Sequence, residues 1–303
     1  NNRRQAMVPE GAHVILNQKG AAPLTVLTID SCTFYFVPGV PVEYRHLVET
    51  HVVPQIAATQ KPTSFRRLRL LKTMAIAESH LDARIQQIVA EHPLVTFGYR
   101  THPPENHLKL LAEAPSEEEA DLAIAVAEKA CLPLLGDAYF GSDDDTLASV
   151  VHHLLTLRGE RVAVAESCTG GQVSSLLTAP SGASNCIYGG IVAYTESAKE
   201  KWLGVDSSLI LAHSAVSAET TQAMARAIRL KAGTAWGVAV TGYAGPTGGD
   251  VENPVGGVFF AIDSPHTSRS DRRVFRGDRS FVMRCAAHWA IDLLRRTVQE
   301  QST

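Results

Sequence analysis

Two short apolar runs organise the second half of the chain. Arg161-Val162-Ala163-Val164-Ala165-Glu166 and Trp236-Gly237-Val238-Ala239-Val240-Thr241 are each bounded by polar turns, as strands buried on both faces are. Around them the apolar spacing changes to the helical period. TLASVVHHLLTLRGE, CTGGQVSSLLTAP, SAKEKWLGV, SAETTQAMARAIRLKAG and SFVMRCAAHWAIDLLRRTVQE all read as helices. IYGGIVAYT, GGVFFAID and SRSDRRVFRG complete the set of strands. Strands alternating with helices over 143–300 predict an α/β layered domain.

The first half is patterned differently. In 1–58, VLTID (26–30) and FYFVPG (34–39) predict two strands, and 42–56 a helix. That is too little for a stable domain by itself, so the segment reads as the end of a larger α/β unit. In 59–140, FRRLRLLKTMAI alternates as an exposed strand does. A helix follows over 79–93, with Ser79 as its expected cap and Asp82 three residues on. Two strands then flank a Pro-Pro turn, and a second helix runs over 116–136, capped by Ser116 with three Glu in its first turn. The order predicts a small α+β layer. The expected domains are thus 1–60, 61–141 and 142–303.

Composition narrows the classes. The chain has 303 residues, with 28 Lys+Arg against 31 Asp+Glu, a net charge of −3. Near neutrality argues against a protein whose main task is neutralising phosphate backbones. Five cysteines without a C-x-x-C pair argue against a zinc ribbon and a disulfide scaffold, and fit a reducing cytoplasm. No apolar run approaches the length of a membrane span, and the N-terminal stretch lacks the apolar core of a signal peptide. The absence of an initial Met fits a chain that begins inside a longer protein.

Four motifs could carry chemistry. In AVAESCTGG (163–171) a buried strand ends at a small-residue turn that opens a helix. Amide groups there can hold an oxyanion or phosphate, and Ser167 is a candidate nucleophile. Cys168 is its rival, and the residues alone leave open which one faces a cleft. The plain alternative is a helix cap. In GGIVAYTESAK (189–199), Lys199 follows Tyr194 by five residues; a lysine whose pKa is lowered by burial can serve as base, and a hydroxyl beside it can relay the proton. AVTGYAGPTGG (239–249) puts Thr241 at a strand's C-terminal end before a glycine-rich loop, without the P-loop or Rossmann spacing. In FRGDR (275–279), Arg279 could pair with a phosphate and Asp278 could cap the last helix.

Together AESCTGG, GGIVAYTESAKEKWLGV, HSAVSAETTQAMA, AVTGYAGPTGG, NPVGGVFFAI and FRGDR resemble the CinA family, over its C-terminal domain. Residues 65–140 resemble its KH-like linking domain. They lack a G-x-x-G clamp loop, so nucleic-acid binding is not implied. QAMVPEGAHVILNQKGAAP and FVPGVPVEY resemble the end of its N-terminal, molybdopterin-binding-like domain, although Ala21 and Leu24 depart from its pattern. The front half of that domain has no match in this sequence, so the metal-dependent ADP-ribose hydrolysis that the domain performs in some family members is not carried over.

The resemblance implies a nicotinamide mononucleotide deamidase with no cofactor and no metal, cytoplasmic and homodimeric. The matching catalytic positions are Ser167, Lys199, Tyr194 and Thr241. Ser167 would attack the carboxamide, with Lys199, helped by Tyr194, taking its proton. Substrate or phosphate contacts fall to Arg279, Thr169, Gly170, Gly171, Gly242, Gly245 and Gly248, with the 169–170 amides as oxyanion donors. The competing class is a non-catalytic, competence-linked binding or scaffold protein. The presence of Ser167, Tyr194, Lys199, Thr241 and Arg279 together weighs against it.

Overall fold

The computed structural model describes residues 7–59 and 64–301, and it forms two compact units, Asn1–Phe65 and Arg66–Thr303. The expected boundary at 60/61 lies outside the described residues, as do Gln5 and Ala6 of the first matching segment.

In the first unit, β1 (His13–Ile15), β2 (Leu24–Ile29) and β3 (Cys32–Phe36) form an antiparallel sheet in that order. Helix α1 (Pro41–Leu47) passes through a π turn, Val48–Val52, into α2 (Val53–Thr59). Leu24, Val26, Leu47 and Val52 make a small core. The short, largely exposed β1 carries no period-2 signal and was not expected from the pattern.

The second unit begins with β4 (Phe65–Met74), α3 (Glu78–Val89), β5 (Val95–His102), β6 (Glu105–Ala114), α4 (Glu117–Leu135) and β7 (Tyr139–Ser142). The sheet order is β5-β6-β4-β7. Ser116 caps α4 as expected, accepting from the Glu119 amide at 3.2 Å. Ser79 does not cap α3. The helix starts one residue earlier, with Ala77 at the cap position and no side-chain bond there.

The remaining elements are α5 (Leu147–Arg158), β8 (Val162–Glu166), α6 (Gln172–Thr178), β9 (Ile187–Val192), a turn of helix α7 (Glu196–Ala198), α8 (Ser207–His213), α9 (Ala218–Ala232), β10 (Trp236–Gly242), β11 (Gly257–Asp263), β12 (Ser268–Val274) and α10 (Arg279–Glu300). They build one sheet, β12-β11-β10-β8-β9, with β10, β8 and β9 parallel and β11 and β12 antiparallel.

The alternation along the central strands explains the layering. Val162, Val164, Val238, Val240, Val258 and Phe260 point to one face and pack with α5, α6 and α10. Ala163, Ala165, Ala239 and Ala261 point to the other, where their small side chains let α9 lie close. The approach is tight enough that a Cβ on Gly237 would strike the Ala225 carbonyl. The anticipated division at 141/142 falls inside β7. Met74 and Phe140 belong to the same core as α10, and Arg295 donates to the Asp137 carbonyl at 2.7 Å, so these segments pack as one unit. Among the described residues, no helix is long and apolar enough to cross a membrane.

Candidate active site

The parallel strands β8 and β10 end side by side, and the chain leaving β8 is pinned there. The Ser167 amide donates to the Val240 carbonyl at 2.9 Å, which places Ser167 next to Thr241 at the carboxyl edge of the sheet. Open α/β sheets bind ligands along this edge.

Lys199 reaches the same point from the helical turn that follows β9. Thr195 caps that turn, its Oγ1 accepting from the Ala198 amide at 3.2 Å, and the backbone then widens into a π turn over Lys199–Leu203. Such π bulges occur frequently at functional sites. Lys199 is only 2% exposed, and its Nζ lies 3.4 Å from Ser167 Oγ. The Ser167 hydroxyl faces the Tyr194 carbonyl at 3.4 Å on its other side. Burial draws the Lys199 ammonium below the ordinary lysine value of 10.5, against the opposing influence of Cys168 and Glu196. A buried lysine with no ion pair among the described residues is suited to accept a proton.

Ser167 and Cys168 stand in different environments. The Cys168 thiol is pushed up to about 12, chiefly by burial, although the nearby Lys199 charge acts to lower it. It remains a thiol at neutral pH, and thiolate is the reactive form. Ser167 holds the bond to Lys199.

The turn after Ser167 differs from expectation. No Ser or Thr caps α6: its cap position is Gly171, at φ +99°, with no side-chain bond. The cap is Glu166, a fully buried carboxylate at the end of β8. It accepts from the amides of Gly171 at 3.0 Å, Val173 at 3.1 Å and Ser174 at 2.8 Å, and from Ser174 Oγ at 2.7 Å. The Gly170 amide donates to the Ser167 carbonyl at 3.1 Å. The amides of Gly170 and Gly171 are therefore engaged within the protein and not free for a phosphate. Those of Cys168 and Thr169 make no backbone bond, and Thr169 Oγ1 is buried without a partner. Glu166 was not among the anticipated residues. The available signal was an acidic residue closing a wholly apolar strand just before a helix whose cap position holds glycine.

Arg279, the first residue of α10 behind the Asp278 cap, donates to the Tyr194 hydroxyl at 2.9 Å and to the Gly245 carbonyl at 2.9 Å. The Tyr194 hydroxyl thus accepts from Arg279 and, among the described residues, makes no hydrogen bond to Lys199, so in place of the anticipated direct relay Tyr194 links Ser167, through its carbonyl, to the Arg279 guanidinium. Thr241 is fully buried, and its hydroxyl donates to the Ala215 carbonyl at 3.2 Å rather than to Ser167 or Lys199. Gly242 lies against β11, where a Cβ would come within 2.6 Å of the Gly257 carbonyl. Gly245 is buried beside Arg279, and Gly248 lies further out on the exposed part of the loop. The structure thus joins Ser167, Lys199, Tyr194, Arg279 and Gly245 through direct bonds. Thr241, Gly242 and Gly248 stand in the framework around them.

Several known proteins are similar to this chain. Residues 144–298 match the family described as CinA C-terminal domain, and residues 68–141 match the damage-inducible protein CinA KH domain. A CinA-like protein of Myxococcus xanthus is 45% identical over 296 residues, covering 96% of this chain and 70% of its own length. A CinA-like protein of Synechocystis is 36% identical over 314 residues, covering 99% of this chain and 73% of its own. A solved CinA superfamily protein from Klebsiella pneumoniae aligns with a TM-score of 0.49 at 34% identity, over 51% of this chain and 96% of that one.

Proposed function

Because the chain belongs to the CinA family, we propose that its C-terminal sheet carries a serine–lysine amidohydrolase that converts nicotinamide mononucleotide to nicotinate mononucleotide and ammonia. The observation that carries this reading is the buried Lys199 Nζ at 3.4 Å from Ser167 Oγ. The choice of substrate rests on the motifs shared with the family and on Arg279, a guanidinium suited to a phosphate.

The geometry supports the following steps. The Ser167 proton passes to neutral Lys199 as Oγ bonds to the carboxamide carbon. The carbonyl oxygen takes up the negative charge, and the unspent amides of Cys168 and Thr169 are the donors available to it. The C–N bond then breaks, and Lys199 returns the proton to the departing ammonia. Water, deprotonated by Lys199, adds to the carbonyl of the Ser167 ester; the C–O bond to Oγ breaks, Lys199 returns the proton to Ser167 Oγ, and the acid is released. The positive pyridinium ring draws electrons from the carboxamide and assists both additions. Arg279, held by Tyr194 and Gly245, meets the phosphate at the far end of the substrate.

The test is ammonia release from nicotinamide mononucleotide without added metal. Wild type is expected to release it, and Ser167→Ala to lose on the order of 10³-fold or more in kcat. Full turnover by Ser167→Ala would overturn the nucleophile assignment. Silence from folded wild type would overturn the deamidase reading in favour of a non-catalytic binding protein.

A further inference from the structure

Glu166 sits directly before the nucleophile, yet its carboxylate makes no bond to Ser167 or Lys199. All four of its close partners are donors, three amides and one hydroxyl, shared between its two oxygens. Both oxygens of the carboxylate thus act as acceptors. Its residue is fully buried, so no water competes for these bonds.

The bonds have a geometric consequence. Residues 167–171 form a turn between two fixed points. At one end the Ser167 amide is held by Val240. At the other, Gly171 and the first residues of α6 are clamped onto Glu166. The same residue therefore ends the strand and fixes the far side of the turn. Between the clamps lie Ser167 Oγ and the two amides with no backbone partner, those of Cys168 and Thr169. Removing the clamp would leave three amides, that of Val173 buried and those of Gly171 and Ser174 partly so, without their acceptor and free the turn to repack.

Building on the deamidase reading above, we propose that Glu166 is a positioning residue: its buried carboxylate fixes the 167–171 turn so that the Ser167 hydroxyl and the Cys168 and Thr169 amides face the same reacting carbonyl. It touches neither substrate nor reacting atoms. A shift of about 1 Å in such a turn costs roughly 10²-fold in rate. The loss falls on kcat and not on KM, because Arg279 and the loop after β10 bind the substrate independently of Glu166.

The experiment uses Glu166→Gln, which keeps the shape and replaces one acceptor oxygen by a donor. Thermal melting checks that the variant is folded. Two rates are then read. With nicotinamide mononucleotide, the variant is expected to lose about 10²-fold in kcat with KM within twofold of wild type. With an alkyl fluorophosphonate probe, Ser167 Oγ bonds to phosphorus, the P–F bond breaks, fluoride leaves and Lys199 takes the proton. Labelling followed by intact mass is expected to slow by about the same factor. Wild-type labelling and wild-type kcat in a folded Glu166→Gln would overturn the proposal, as would failure of wild type to label at Ser167.

The probe does not depend on the natural substrate. If wild type releases no ammonia but labels, and the variant labels slowly, the deamidase reading fails and the positioning role stands. If Glu166→Gln does not fold, Ser174→Ala decides. It deletes only the 2.7 Å hydroxyl bond to the carboxylate. A fall of a few-fold in kcat and labelling at unchanged KM supports the role, and unchanged rates overturn it.

Discussion

Two turns leave neighbouring parallel strands at the same edge of the sheet and are built in opposite ways. The turn after β8, residues 167–171, is largely buried, and its amides at 167, 170 and 171 are all bonded. The loop after β10 is longer and runs largely over the surface from Pro246 to Glu252, with Val251 fully exposed. It is closed at its base by the Tyr243 and Gly256 amides and tied once to the rest of the site, through Arg279 and the Gly245 carbonyl. In the proposed mechanism the first turn carries the nucleophile and the oxyanion donors, where a small displacement is costly. The second has few buried contacts and can settle around a substrate. Both are rich in glycine, so glycine content alone does not tell a rigid catalytic turn from an adaptable binding loop. The bonding of the amides does.

The largest effect that would sharpen this contrast lies on the rigid side. Lys199→Met keeps the apolar stem and removes the base. It is expected to lower kcat by about 10²–10⁴-fold with little change in KM, measured by ammonia release. The same variant has a stability signature. Burial holds the folded-state pKa of Lys199 below its ordinary 10.5, so between those values the unfolded chain binds more protons than the folded one. Stability of the wild type contributed by this group therefore rises with pH across that window, and falls as pH drops through the folded-state pKa. In Lys199→Met that slope disappears, as denaturant titrations at several pH values would show.

A smaller effect is expected on the loop side. Arg279→Leu removes both the phosphate partner and the tie to Gly245. It is expected to raise KM for nicotinamide mononucleotide by about 10–100-fold, since a charge-assisted hydrogen bond contributes roughly 1.5–3 kcal/mol. The kcat of this variant should stay within a few-fold of wild type. A loss confined to kcat would erase the division of labour between the two turns.

The layering was legible because Val-Ala-Val-Ala and Gly-Val-Ala-Val are short apolar runs bounded by turns and alternate with longer segments of helical period. The three-residue β1 and four-residue β7 were not legible: each is too short for a period and exists because a neighbouring strand offers its edge. Helix α8 was missed as well, a seven-residue helix that follows the π turn almost at once. Ser167, Lys199 and Arg279 stood out because their chemistry is carried by the side chain and its local spacing. The roles of Tyr194 and Glu166 were hidden for the opposite reason. Tyr194 acts through a carbonyl toward Ser167 and a hydroxyl toward Arg279, 85 residues away. Glu166 acts through backbone amides, which have no signature in residue type. Whether Ser167 or Cys168 faces Lys199 depended on how the turn is clamped, which only the fold determines.

The central claim is that Lys199 is a base made available by burial. Its ammonium can be titrated directly by NMR in protein carrying ¹⁵N-labelled lysine, with the resonance assigned by its absence in Lys199→Met. The account predicts a titration clearly below the ordinary 10.5. A Lys199 that titrates at or above that value would contradict it.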